Sequence, residues 1–301
     1  MTGAAIVLAM AAAAAQAASQ GQASRVREPI QPLPPAPRSD AAATLGAMLF
    51  ADRRLSPKGD RACVSCHRPQ AFGAGPDRFD RGADGKLLPV NTPSVYNAAL
   101  NFRLNWSGSA RDLQSQARAS LLNPRIMATT PEAAARRVRA DRGLNARARK
   151  AFGRDLDGEV LVEALAAYQR TLITPNARFD FWLMGKSDAL TAQEERGYGL
   201  FKSAGCTACH QGRNVGGNLM QVSGVFHPVT RGERERLRVP SLRNVARTAP
   251  YFHDGSAATL EQAVRTMGRA QLNRSFNDRQ VADIAAFLRT LSGDAPRRPG
   301  P

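Results

Sequence analysis

Two five-residue stretches, CVSCH at 63–67 and CTACH at 206–210, contain every cysteine of the 301-residue chain. No other feature constrains the fold as tightly. In Cys-x-x-Cys-His two thiols lie three residues apart and an imidazole follows at once. That is the arrangement that attaches a c-type heme: the thiols form thioethers to the vinyl groups and the histidine binds the iron. A disulfide inside each pair would leave His67 and His210 as coincidences. Zinc wants four ligands closed around one ion, which two separate motifs fit poorly. Cys63, Cys66 and His67, and again Cys206, Cys209 and His210, are therefore expected to hold two covalently bound heme c groups. Because heme is joined to apocytochromes outside the cytoplasm, an exported, periplasmic protein is expected.

The first nineteen residues, MTGAAIVLAMAAAAAQAAS, support export: they are small and apolar, with Ala15-Gln16-Ala17 fitting a cleavage site. They lack the usual basic start, since the first charge is Arg25. Residues 20–40, with QPLPPAP, read as a Pro-rich linker. Beyond Asp40 the pattern is helical. Asp40 caps DAAATLGAMLF, and Thr130-Pro131 is a cap with a first-turn proline. Residues 157–172 place Val160, Leu161, Leu165, Tyr168 and Leu172 on one face. Thr191 with Glu194 and Thr259 with Gln262 have capping-box spacing, and a final amphipathic helix over 277–292 is expected to stop at Gly293. No stretch shows convincing strand alternation. Each cysteine motif follows an aromatic-bearing helical pattern, LGAMLF or GYGLF, so the chain reads as mainly α and in two halves. The expected boundaries are 41–180 for the N-terminal half, 181–295 for the C-terminal half and 296–301 for a tail.

Composition bounds the partners. Hydrophobic residues make up 43% of the chain, enough for a packed core, and 42 Lys and Arg against 25 Asp and Glu leave a formal charge of +17. Such a field favours acidic partners. The arginines are scattered, with no interleaved aromatic stripe, so no nucleic-acid partner is expected. For the sixth position on each iron, the histidines beyond the two motifs are His227 and His253. Met267 lies after the second motif and ahead of the last helix, where a distal ligand would stand. A methionine on a helix is more often core filler.

The stretch RVPSLRNVARTAPYFHDGSAATLEQAVRTMGRAQL (238–272), with both cysteine motifs and NTPSVYNAAL (91–100), resembles the bacterial di-heme cytochrome c peroxidase and MauG family over roughly residues 41–293. The resemblance implies two cytochrome c-like heme domains packed around a shared interface. It implies a C-terminal, electron-accepting heme held by His210 and Met267, and an N-terminal heme at His67 where hydrogen peroxide is reduced. Electrons would come from a small acidic redox protein, a cytochrome c or a cupredoxin, and would pass through a tryptophan matching Trp106. A calcium ion at the interface would be bound by residues matching Asn91, Thr248 and Pro250. A homodimer is compatible with the resemblance. Arg243 and His253 match positions of the heme environment without a definite role, and His227 reads as an ordinary loop or core histidine. Met267, where a MauG-like oxidant of protein side chains would carry tyrosine, argues for the peroxidase branch.

Two departures stand out. Counting from Trp106, the family's glutamine falls on Gln116 and its catalytic glutamate on Ile126, in the stretch SLLNPRIMA, while Asn123, Pro124 and Met127 fix the register. The Asp-Gly-Arg after the tryptophan is Ser107-Gly108-Ser109, and Asp112 and Glu132 are the nearby acids. Isoleucine cannot move a proton, which leaves a non-peroxidatic electron carrier or sensor as the competing reading. Residues 68–90 also contain no histidine to gate the first heme, so that iron is expected to be open, with Met127 a weak alternative ligand.

Overall fold

The computed structural model describes residues 28–230 and 235–296; the leader-like stretch 1–19 and the last residues of the tail lie outside the described residues. Among the described residues nine α-helices carry the architecture. The N-terminal half contains α1 (Ala41–Phe50), α2 (Leu113–Leu122), α3 (Pro131–Arg139), α4 (Arg142–Phe152) and α5 (Gly158–Thr171). The C-terminal half contains α6 (Arg178–Leu183), α7 (Ala192–Ser203), α8 (Leu260–Leu272) and α9 (Asp278–Arg289). The expected caps close. Asp40 accepts the Ala43 N–H at 2.7 Å, Thr130 accepts that of Ala133, and both capping boxes form.

The same packing device recurs in each half. The helix before the first cysteine motif, α1, crosses α5 at Gly46, where a Cβ would stand 1.9 Å from the Ala164 carbonyl oxygen. The helix before the second motif, α7, crosses α9 at Gly197, where a Cβ would stand 1.9 Å from the Asp283 oxygen. Only glycine permits backbones to approach that closely. Around these crossings lie two cores, one built on Leu45, Leu49, Val160, Leu161 and Leu165, the other on Tyr198, Phe201, Phe287 and Leu291. Phe179 packs into the second core, its ring 4.7 Å from Tyr198 and 5.0 Å from Phe287. The C-terminal core thus recruits a residue from just before the expected boundary at 180.

Three local expectations need correction. The final helix ends at Arg289, short of Gly293. Gly293 is instead a point of close approach: a Cβ there would stand 2.2 Å from the Thr174 oxygen and 2.4 Å from that of Pro175. Second, two strands exist, β1 (Met220–Val222) and β2 (Arg236–Arg238), paired antiparallel with Met220 opposite Arg238. Three residues are too few for alternation to be visible in a sequence. Third, the described part of the Pro-rich linker is docked. Ile30 and Leu33 are buried, Gln31 N–H donates to Gly212 O, and Glu28 accepts from Tyr198 Oη at 2.6 Å and from Lys202 Nζ. Proline content announces an extended backbone, but not the surface that receives it.

The halves are joined by buried amides. Asn97 donates to Thr174 Oγ1 at 2.7 Å and accepts the Thr174 N–H, and Asn244 donates to the same hydroxyl at 3.0 Å. Asn214 donates to Asn101 Oδ1 at 2.8 Å. Such groups are stable away from water only when fully paired, so they fix one relative placement of the halves.

Candidate functional site

Both cysteine motifs form the same local structure. Cys63–Ser65 and Cys206–Ala208 are single 3₁₀ turns, and the His67 and His210 amides donate to the carbonyls of Cys63 and Cys206, each at 2.9 Å. The turn brings two thiols and an imidazole to one side. No disulfide joins any of the four cysteines. Burial pushes the Cys63 thiol up to about 12 and the Cys206 thiol up to about 11; Cys66 rises to about 11 through burial, aided by the nearby charge of Asp80. Among the described residues no three His, Cys, Asp or Glu side chains come together in one cluster.

The imidazoles are set as iron ligands need to be. His67 Nδ1 donates to Gly73 O at 3.1 Å and His210 Nδ1 to Val215 O at 3.3 Å, so in each ring Nε2 carries the lone pair. Burial lowers both, His210 to about 4, keeping the rings neutral. A second repeat, absent from the sequence reading, supports these rings. Pro93-Ser94-x-x-Asn97 and Pro240-Ser241-x-x-Asn244 share a pattern, and each asparagine adopts a left-handed conformation (φ 58° and 62°) ahead of a 3₁₀ turn. The backbone carbonyls of Pro93 and Pro240 favour the protonated form of His67 and His210 respectively, against the larger effect of burial. The shared PSxxN spacing was the available signal.

A cavity of about 270 Å³ opens between the halves, lined by Cys206, Cys209, His210, His253 and Met267 of the C-terminal half and by Trp106 of the N-terminal half. Asn91, Thr248, Pro250 and Arg243 also line it. Trp106 is anchored at both ends: Nε1 donates to Asn91 O at 2.9 Å, and its carbonyl accepts the Arg238 N–H at 2.8 Å. Its ring meets His253 edge-on at 6.3 Å, and the His253 carbonyl accepts the Asn91 N–H. Asn91 turns its side-chain amide to the Asp77 and Arg78 carbonyls. Arg243 donates to Asp180 Oδ1 at 2.7 Å, Arg213 O and Gln31 O, one bond from each nitrogen, and so acts as a buried tie between segments. His227 is exposed, 3.1 Å from Asn273 Oδ1.

The first motif faces a different environment. Ile126 and Cys63 both pack against the N-terminal core, and Met127 is buried within it. Gln116 Nε2 donates to Ser120 Oγ at 2.8 Å. Neither nearby acid replaces the missing carboxylate. Asp112 caps α2, accepting the Ser115 N–H at 2.7 Å, and Glu132 is an exposed partner of Arg118. The acid that does lie by this motif is Asp80, 5% exposed, which accepts from Thr92 Oγ1 at 2.6 Å and faces Arg68 at 3.8 Å. Sequence reasoning passed over Asp80 because only folding buries it.

The residues present fit two covalently bound heme c groups: paired thiols on a turn, a neutral imidazole with Nε2 free, and, at the second motif, Met267 on the wall of the same cavity. The sequence pattern of the di-haem cytochrome c peroxidases matches residues 40–188, and that of cytochrome c matches residues 194–292. Over 288 residues the chain is 44% identical to a cytochrome c551 peroxidase of Nitrosomonas europaea, covering 89% of this chain and 85% of that protein. It is 32% identical to the methylamine utilization protein MauG of Methylorubrum extorquens, over 83% and 78% of the two chains. A crystal structure of a MauG-like protein associated with microbial copper homeostasis superposes with a TM-score of 0.75 at 27% identity, covering 88% of this chain and 93% of that one. With its two cysteine turns, its mainly helical two-domain fold and relatives this similar over most of its length, the chain belongs to the di-haem cytochrome c peroxidase family and is an oxidoreductase of that type.

Proposed function

We propose that this protein reduces hydrogen peroxide at a heme on Cys63, Cys66 and His67, using electrons received from a small acidic redox protein at a heme on Cys206, Cys209, His210 and Met267. When bound, the hemes would supply redox iron at both ends of the path, for reaction with peroxide at the first and electron storage at the second. The chain's own residues do the rest. His67 and His210 present Nε2 because Gly73 and Val215 take their Nδ1 protons. Trp106 passes electrons between the halves. The observation that carries this reading is its double anchoring, to Asn91 on one side and Arg238 on the other, against the cavity that holds His210 and Met267. Each peroxide takes up two electrons and two protons and leaves as two waters, so a proton carrier is needed at the first site. Gln116 orients water there but does not titrate. Asn91, Thr248 and Pro250 bind calcium in this reading, the apolar leader directs the chain to the periplasm, and the charge of +17 selects an acidic donor, a cytochrome c or a cupredoxin.

One observation favours a second reading. Ile126 stands where the resemblance calls for glutamate, and it packs on apolar neighbours while Asp112 and Glu132 are engaged elsewhere. A chain without the proton carrier would serve as an electron carrier or sensor. Peroxide titration of the holoprotein, with the Met267-side heme reduced and a donor present, decides between them. Rapid turnover supports the peroxidase; an unchanged heme spectrum with peroxide in excess supports the carrier.

A further inference from the structure

Arg238 on β2 is a buried cation without a counter-ion. It is 5% exposed, and among the described residues no carboxylate pairs with it. Its guanidinium meets three carbonyl-type oxygens at long range: Asn105 O and Val239 O at 3.3 Å, and Asn101 Oδ1 at 3.5 Å. Arg243, five residues on and equally buried, shows what satisfaction looks like, with a carboxylate at 2.7 Å and two carbonyls at 2.8–2.9 Å. A charge taken out of water demands either an anion or a compensating set of strong hydrogen bonds. Among the described residues Arg238 has neither, and burial lowers it to about 10. It also lines the cavity that contains Cys206, His210 and Met267, and its own N–H holds the Trp106 carbonyl at 2.8 Å.

We infer that Arg238 is the binding site for a propionate carboxylate of the heme attached at Cys206 and Cys209, fixing that group beside Trp106. The inference rests on heme attachment at that motif, which a hemochrome count checks separately. The planar guanidinium fork suits a carboxylate held by two parallel hydrogen bonds. Placed so, Arg238 ties three things together: the cofactor's edge, the tryptophan main chain and, through β2, the C-terminal half. Neutralising the propionate disfavours the more positive, oxidised iron, so Arg238 acts as a positioning residue that raises the potential of the Met267-side heme.

The test is spectroelectrochemical titration of holoprotein carrying Arg238→Gln or Arg238→Lys, each first shown to hold two hemes per chain. In Arg238→Gln the midpoint of the His210/Met267 heme falls, with little movement at the His67 heme, and the propionate-bending bands of its resonance Raman spectrum shift. Arg238→Lys keeps the charge and most of the wild-type midpoint but loses the planar fork, so the propionate-bending bands still shift; if the glutamine variant does not fold, unmoved bands in Arg238→Lys overturn the proposal. Unmoved midpoints and Raman bands in Arg238→Gln overturn the proposal, as does a shift confined to the His67 heme. So does a wild-type midpoint that follows added chloride or phosphate and ceases to do so in Arg238→Gln, since the counter-ion is then an anion from solution. If two hemes are not found, the failure lies with cofactor attachment and not with Arg238.

Discussion

Ile126→Glu tests the reading of the first heme site most directly. A positioned acid-base group contributes on the order of 10²–10⁴ in rate, equivalent to about 3–5 kcal/mol of barrier. Among the described residues the nearby polar groups are engaged elsewhere: Gln116 is bonded to Ser120, Asp112 to the start of α2, Glu132 to Arg118, and Asp80 to Thr92 beneath Gly75. A glutamate at 126 should therefore recover most of the factor. It enters a half-buried position against the apolar N-terminal core, so a loss of about 1–3 kcal/mol in stability accompanies it. The assay is steady-state peroxide consumption with a reduced donor, at equal heme content, comparing wild type, Ile126→Glu and Ile126→Gln. Glutamate should raise kcat and glutamine, of like size but not titrating, should leave it unchanged. Equal rates in all three with both hemes loaded would refute the reasoning and show that protons reach the site without a side chain at 126.

Three further outcomes follow from the fold. Gly197→Ala forces a Cβ against the Asp283 carbonyl and should cost about 1–3 kcal/mol in chemical denaturation, whereas Gly199→Ala on the same helix meets nothing and should gain about 0.5–1 kcal/mol; similar effects from both would mean that α7 and α9 are not in close contact. Burial alone would raise the Glu194 carboxyl, but the Arg178 fork at 2.6–2.8 Å and the Thr191 N–H outweigh it and hold it below the usual range. Its contribution is thus present above the unfolded value of about 4.3 and lost as pH falls through the lower folded value. Arg178→Ala should remove about 1 kcal/mol or less at neutral pH, Arg178 being half exposed, and should flatten the acid limb of the stability profile. Association with an acidic redox donor, followed by stopped flow, should slow steeply with ionic strength; a rate indifferent to salt removes electrostatic selection of the donor.

The sequence by itself determined whatever depends on neighbours along the chain. The two cysteine motifs name their cofactor because thiol, thiol and imidazole must sit on one turn, and Asp40, Thr130, Thr191 and Thr259 cap helices through bonds spanning three residues. The missing carboxylate at 126 was visible too, since register within a short segment survives folding. Tertiary structure alone decided what depends on distant segments meeting. Gly46 and Gly197 look like weak spots in helices until α5 and α9 are laid across them, and Gly293 looks like a helix stop until Thr174 approaches. The Pro-rich segment became a docked strap once Gly212 and Tyr198 offered partners. Burial of charge is the clearest case. Arg238 and Arg243 stand five residues apart with the same side chain, and only the fold gives one the carboxylate of Asp180 while leaving the other to face the cavity, because desolvation and pairing are properties of three-dimensional neighbourhoods.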